Sequence, residues 1–425
     1  MTRTMEQTAP RTAPPSRLGG LWRRWRGLGI AAAVLAAFAA LSAVRAFTGQ
    51  NPLTDSGTVQ ATLAFAVPIA MAGLGGLWAE RAGIVNIGLE GMMVFGTWFG
   101  AYAAWVTGDP WLGLAAGVLG GVFGGLIHAL ATVTFGVDHI VSGVAINILA
   151  VGAMRYLSIL FFQEAPGGGA SQSPQLPGFP RISLPFVADV LGPLQQQRIF
   201  LVSDLAGLVI GLTTGMSVIT LLAILLVPAS YLILWKTPFG LRLRSCGENP
   251  DAAESLGVPV YRYKYLAVLV SGGLAGLGGV FLAMVASNIY QEGQTNGRGY
   301  IGLAAMIFGN WRPGGLAMGA GLFGYTDALQ VRGATAAVHA LLLLIAIALV
   351  AAAVVQWLRG RRTAAVVALA LAVVLGVWFA FTDTLPRELV TYSPHIATLL
   401  VMALATQRLR APAAVGRQWR PRGGS

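Results

Sequence analysis

The chain has 425 residues, 56% of them hydrophobic and only 10% charged, with a mean hydropathy of +0.69. A soluble domain needs far more charge to cover its surface, and a single cysteine, Cys246, excludes an internal disulfide framework. The net charge of +12 would suit nucleic acid, but the basic residues sit at the ends of apolar runs and at the termini, where membrane topology accounts for them.

The first 27 residues form a basic polar tail with Arg23, Arg24 and Arg26 just before the first apolar run. That run is long, and Arg45 spoils a small-residue cleavage site, so a retained helix is expected rather than a removed signal peptide. Apolar segments then recur at 28–48, 58–79, 84–106, 111–134, 140–162, 205–235, 264–288, 300–311, 314–330, 336–357, 363–382 and 388–407. Most of them can span a hydrocarbon core of roughly 30 Å. The segment 300–311 is too short to cross upright, so it is a half-helix completed by the polar run before it or a re-entrant segment. Counting every segment as a crossing, with the N-terminus inside, puts 21 of the 28 Lys and Arg on the inner side. The positive-inside bias favours this arrangement. The expectation is an all-α polytopic bundle of about 10–12 transmembrane helices over 28–407, in a bacterial inner membrane, with cytoplasmic basic tails at 1–27 and 408–425.

Two loops stand out. Residues 163–204, rich in Pro, Gly, Gln and Ser, form a long extracytoplasmic loop with room for short helices. Residues 236–263 form the longest polar inner loop between spans. Within it Asn249 is a good N-cap, Pro250 suits the first helical position and Asp251 favours the positive end of the dipole. Gly257 fits the residue after the C-cap, with Pro259 beyond. The spacing predicts a short helix from Pro250 to Leu256, which is marginal alone in water and needs a packing partner. Glycines at 113, 117, 121 and 125 fall on one helix face, and the pairs 272/276 and 315/319 repeat that spacing. They predict close backbone approach between helices.

Chemistry-bearing motifs are few. The chain has only two lysines, and Lys236-Thr237 lacks the glycines of a phosphate loop, so no ATP site of that kind is expected. No metal, cofactor or catalytic constellation is visible, and His128, His139, His339 and His395 are scattered. Buried polar residues remain as candidates for the translocation path. Asn86 and Glu90 are four apart and would share one helix face, with Glu90 about a turn and a half inside its apolar segment. A deeper carboxylate would cost roughly 2.5–3.5 kcal/mol, which is tolerated where it faces a cavity or a partner. Glu90 is either a gate or a fastener of the bundle. Asn147 is likewise either interhelical glue or a solute contact.

The segment Glu80–Met93 resembles the signature of permeases in nucleoside and simple-sugar ABC importers, within the branched-chain amino acid/ribose-type permease superfamily. So do the loop Gly240–Ala253, the stretch Gly299–Trp311, the later Asp327–Gln330 and the ending Arg408–Ala414. The resemblance runs from about residue 58 to 422. It implies a permease subunit, not itself an enzyme, that carries a nucleoside or simple sugar. A separate ABC ATPase would dock on a coupling helix in 240–257, through Arg244, Gly247, Glu248, Asn249, Pro250, Ala252 and Ala253. It further implies a second, often non-identical permease and an extracytoplasmic binding protein or lipoprotein. The same mechanism for a branched-chain amino acid or other small metabolite is the first alternative. An ion-coupled carrier is the second, and it is disfavoured because few spans hold a buried charge. The N-terminal extension before residue 58 and a probable inserted hairpin at 336–382 depart from the family pattern.

Overall fold

The computed structural model describes residues 17–386, 388, 389 and 409–420. The segment expected to span at 388–407 therefore lies almost wholly outside the described residues, as do 1–16 and 421–425. In chain order the helices are α1 (Arg17–Thr48), α2 (Ser56–Arg81), α3 (Leu89–Thr107), α4 (Pro110–Ala129) and α5 (His139–Phe162). There follow α6 (Val187–Gln196), α7 (Val202–Thr213), α8 (Val218–Lys236), α9 (Pro238–Glu248) and α10 (Pro250–Ser255). The last are α11 (Val260–Phe281), α12 (Arg298–Phe308), α13 (Pro313–Arg332), α14 (Ala334–Leu358) and α15 (Arg362–Phe381). The only sheet among the described residues is a short antiparallel pair, β1 (Arg181–Ile182) with β2 (Met216–Ser217). Seven helices among the described residues are long and apolar enough to cross a membrane. This is an all-α polytopic membrane protein.

The chain divides into two compact units, Asn51–His339 with Thr382–Ser425, and Met1–Gln50 with Ala340–Phe381. In the larger unit, α2 and α11 are the central helices, with 72% and 83% of their most apolar stretches buried. They run antiparallel: Gly75 meets Ser271, while Gly278 meets Pro68 and Met71. α2 also packs on α12 and α13, and α11 on α3 and α4. Exchanging α2 with α11, α3 with α12 and α4 with α13 maps this packing onto itself. The sequence echoes the exchange. Ala72-Gly73-Leu74-Gly75-Gly76 in α2 repeats as Ala275-Gly276-Leu277-Gly278-Gly279 in α11, and α4 and α13 each open on a proline. Such inverted repeats bring broken helices together near mid-membrane.

Glycine sets the distances between these helices. Gly117, Gly121 and Gly125 form the seam against α11, where a Cβ on Gly121 would collide with the carbonyl oxygen of Gly272, while Gly113 faces α3 and Met284. Gly315 and Gly319 of α13 face Gly309 and Ala305 in the same manner. Without a hydrophobic drive between helices in lipid, this close approach supplies the dispersion and packing that hold the bundle.

Several expected spans differ in the structure. The run 205–235 is two helices, α7 and α8, because Thr214 is extended and Gly215 takes φ +65°. Ser217 then caps α8 through the N–H of Ile219. The run 84–106 becomes helical only at Leu89, so Asn86 and Glu90 do not share a helix face. Glu90 stands in the first turn of α3 and not deep in a span. Gly83, at φ +90°, ends α2 and turns the chain. The segment 300–311 is the half-helix α12, completed by the polar turns before it. α1 begins within the expected basic tail. The long loop 163–204 carries α6 and joins the later chain through a bridge from Gln172 to Gln291.

The smaller unit contains α1, most of α14 and all of α15. The N-terminal extension and most of the 336–382 hairpin, both expected to depart from the family pattern, thus cluster with each other. Only 11% of the apolar stretch of α15 is buried, as suits a helix that faces lipid.

Candidate functional site

Two broken segments meet inside the larger unit. The first is 82–88, which follows α2 and turns back alongside it, so that Leu89 packs against Gly75 and Gly76. An extended backbone in apolar surroundings needs partners for its N–H and C=O groups. Distant side chains supply them. The N–H of Val85 donates to Nδ1 of His139 at 3.2 Å, and Nε2 of His128 lies 2.9 Å from the Val85 carbonyl. Asn147 donates to the Ile87 carbonyl at 3.1 Å and accepts from the N–H of Gly91 at 2.7 Å. Asn86, fully buried, donates to the Ser271 hydroxyl at 2.9 Å.

The second broken segment is 287–297, which leads into α12. Arg298 lies over the ring of Phe65 at 5.7 Å, and Gly302 meets Gly73. At 1.5 Å per residue, Phe65 is about 14 Å from the start of α2, a little over a third of the way along its 26 residues, and Gly73 lies beyond the midpoint, so the two contacts bracket the middle of the helix. There the carboxylate of Glu90 accepts from the N–H of Gly297 at 2.8 Å and of Gly299 at 2.7 Å. Glu90 therefore caps α12 while standing in the first turn of α3. Two positive helix ends converge on one buried carboxylate, which offsets its desolvation. A side chain at Gly299 would strike the Glu90 backbone, so glycine is required for this approach. Asn147 adds a hydrogen bond to the Tyr300 hydroxyl at 2.8 Å.

Beside this junction lies a cavity of about 470 Å³ between α2, the α7–α8 break and the 287–297 turns. Phe65, Arg298, Gln294, Gln291, Gln60 and Ser287 are among the residues that line it. Asn86, Glu90 and Asn147 are not: they hold the junction that forms one wall. The cavity escaped sequence reasoning because its lining comes from five separate stretches of the chain. The signal present was the cluster Gln291, Gln294 and Arg298 between two apolar segments.

The other end of α2 carries the polar cluster of the sequence motifs. Arg81 donates through Nε and Nη2 to the Trp311 carbonyl at 3.1 and 2.6 Å, while the Trp311 indole donates to Glu80. Arg81 and Arg244 both lie over Trp235, at 5.1 and 5.5 Å. Arg244 also donates to the Leu234 carbonyl at 2.9 Å. Asn249 caps α10 by accepting from the N–H of Ala252 at 3.0 Å, Pro250 occupies the first turn, and Gly257 takes φ +79°. Pro250 and Ala253 are buried, whereas Asn249, Ala252 and Leu256 are exposed.

An irregular segment, 409–420, with a turn at 413–416, ties these pieces together. The N–H of Ala414 donates to Gly247 at 2.8 Å, that of Gly416 to Gly83 at 3.1 Å and that of Ala413 to Glu248 at 3.2 Å. Arg410 donates through its N–H to the Asn310 side chain, and the Trp419 indole to Asp251. The motifs around Gly83, Gly247 and Asn310 thus converge on one short segment. Cys246 lies beneath it, with no exposed surface, and burial pushes its thiol up from 9.0 to about 11 against the opposing charge of Lys264.

Broken helices meeting at mid-depth, joined to a capped surface helix at one end and a polar cavity toward the other, define a transport protein of the permease class. The model of the family described as "Branched-chain amino acid transport system / permease component" matches residues 58–351, well over half of the chain, and the protein belongs to that family. A guanosine ABC transporter permease protein of Bacillus subtilis is 39% identical over 65% of this chain and 82% of its own. A nucleoside ABC transporter permease protein of Lactococcus lactis is 37% identical, covering 64% and 81%. A putative glucose ABC transporter permease protein of Haloferax volcanii is 35% identical, covering 65% and 78%. No solved structure matches the chain. The protein is an ABC transporter permease subunit, and a multi-pass membrane protein.

Proposed function

We propose that this permease forms the path by which an ABC importer takes up a nucleoside or a simple sugar. The observation that carries the reading is the cavity against the Glu90 junction: a lining that mixes apolar side chains with Gln and Arg side chains, in the size range of roughly 300–1,000 Å³ common for small-molecule sites. The cavity opens away from the cell interior, and both termini are cytoplasmic, in keeping with the charge bias. The guanidinium of Arg298 disfavours a cationic solute. The names of the relatives support a nucleoside or sugar.

Power comes from a separate ATPase, which hydrolyses ATP and docks on α9 and α10. The exposed face of α10, with Ala252, Ser255 and Leu256, supports this reading, because it leaves apolar surface uncovered on a short helix whose other face packs on the protein through Pro250 and Ala253. Docking motion reaches the broken segment 82–88 through the 409–420 segment, which bonds Gly247 and Gly83 alike. A second permease and an extracytoplasmic binding protein complete the importer.

Deletion of the gene in its own cells is expected to abolish uptake of a labelled nucleoside or sugar, and the intact gene to restore it. A chain ending after Arg410 loses the bonds at Ala413, Ala414, Gly416 and Trp419. It is expected to reach the membrane while uptake falls about tenfold, as loss of coupling worth 1–2 kcal/mol requires. Unchanged uptake of all these solutes in the deletion strain would sink the solute reading. Full uptake by the truncated chain would sink the coupling route.

A further inference from the structure

We propose that the turn between α14 and α15 and the groove beside it bind an anionic phospholipid of the inner leaflet, with its headgroup on Arg359, Arg361 and Arg362 and one acyl chain in the groove. The inference stands apart from the solute and coupling readings, because it concerns the hairpin that departs from the family pattern.

The first observation is charge without counter-charge. Three arginines fall within the four residues 359–362, and no Asp or Glu occurs anywhere in 328–382. All three are exposed. The turn that carries them is well defined. Gly360 takes φ +75°, its N–H donates to the Trp357 carbonyl at 2.9 Å, and the N–H of Arg361 donates to the Gln356 carbonyl at 3.0 Å. That pair of bonds closes a helix in a Schellman motif, so the arginines start from a fixed backbone. The second observation is the groove. It holds about 230 Å³ between α14 and α15, and every residue lining it is apolar. Ala353 and Ala365, both buried, form its floor, while Val350, Val354, Trp357 and Val366 are exposed along its walls. From Trp357 back to Val350 it runs about 10 Å along α14, away from the basic turn and into the span. Trp357 joins the two features: its ring lines the groove and carries the Arg362 guanidinium at 5.9 Å from its centroid.

An apolar groove that begins at three uncompensated cations fits a ligand with an anionic head joined to an apolar chain. A phospholipid has that form. Arginine presents paired N–H donors to phosphate oxygens, and basic residues at the cytoplasmic ends of spans attract anionic headgroups. Tryptophan suits the level where head and chain meet, and the charge bias that orients the chain puts this turn on the inner side. A zwitterionic lipid fills the groove equally well, but its ammonium group offsets the phosphate, so it gains less from the turn. A helix of another protein covers the groove but leaves the arginines without their complement.

The test is native mass spectrometry of the intact permease in detergent, with phosphatidylglycerol or phosphatidylcholine of identical chains added. Wild type is expected to retain phosphatidylglycerol over phosphatidylcholine by about tenfold, as a few arginines at an anionic headgroup allow. Arg359→Gln, Arg361→Gln and Arg362→Gln together are expected to remove that preference. Val366→Trp fills the groove from its exposed wall, keeps every charge and with it the topology, and is expected to lower phosphatidylglycerol retention severalfold. Equal retention of the two lipids by wild type overturns the proposal. So does an unaltered preference in the arginine variant, which places the selectivity elsewhere. If the arginine variant fails to insert, Val366→Trp decides alone: undiminished retention shows attraction to charge without a groove and overturns the site. A photoreactive side chain at Val354 in native membranes is expected to attach to phospholipid, and attachment to another polypeptide overturns the lipid as occupant.

Discussion

The two ends of the larger unit solve the same problem in opposite ways. At the α10 end, Glu80, Arg81, Arg244, Glu248 and Asp251 all have partners, several of them backbone carbonyls or N–H groups of other elements. At the cavity end, the Gln294 amide and Arg298 Nε are buried without a hydrogen-bond partner among the described residues. A fully satisfied network is rigid and moves as one piece. The contrast fits the proposed reading, with force transmission at one end, solute passage at the other and the Glu90 junction between them.

The comparison breaks first if the frame joining the ends is spread apart. Gly121→Val places bulk against Gly272 and Gly276, and Gly152→Val places it where nothing lies within 4 Å. Overpacking costs about 1–3 kcal/mol in a soluble core, and a tight glycine seam in lipid stands at or above the upper end of that range. Gly121→Val is expected to lose most of the folded protein, measured as detergent-extracted monodisperse permease, while Gly152→Val matches wild type. Equal yields would show that the α4–α11 seam does not hold the ends together.

A smaller effect is expected at the junction itself. Glu90→Gln keeps the shape and one acceptor, but removes the charge that faces two helix N-termini. Charge-to-dipole interactions of this kind are worth about 0.3–2 kcal/mol. The variant is expected to lower the melting temperature of the purified protein by a few degrees and to reduce uptake only in proportion to folded protein. Normal stability with abolished uptake would make Glu90 a gate and not a fastener.

How much of this was legible in the sequence depended on range. The cap at Asn249, the proline at 250 and the glycine at 257 are read residue by residue, and the helix Pro250–Ser255 stands within a residue of the expected one. The four-residue glycine spacing of α4 likewise marks its seam with α11. The break after residue 79 was legible, but its continuation through 84–88 was hidden, because Ile84, Val85 and Ile87 are as apolar as a helix would be. Its backbone is satisfied by His128, His139 and Asn147, which lie far along the chain. Averaged hydropathy similarly bridged Thr214 and Gly215. The cavity was hidden for the same reason, since Phe65 and Gln294 meet only through the fold.

The smallest expected effect tests whether the α10 end is as closed as its hydrogen bonds indicate. Cys246 has no exposed surface, and its Sγ donates to the Arg242 carbonyl at 3.2 Å. Burial disfavours the thiolate and raises the group from 9.0 to about 11. Only the thiolate reacts, so at pH 8 a rise of that size leaves about a hundredfold less reactive species than an ordinary thiol has. Because the folded value is raised, reactivity grows as pH approaches 11, not as pH falls. Alkylation of the native permease at pH 8 is expected to be slow and to become rapid after denaturation, read by mass spectrometry of the Cys246 peptide. Rapid labelling of the native protein at pH 8 would mean that the 409–420 segment lifts away from α9, and the rigid end would then be the mobile one.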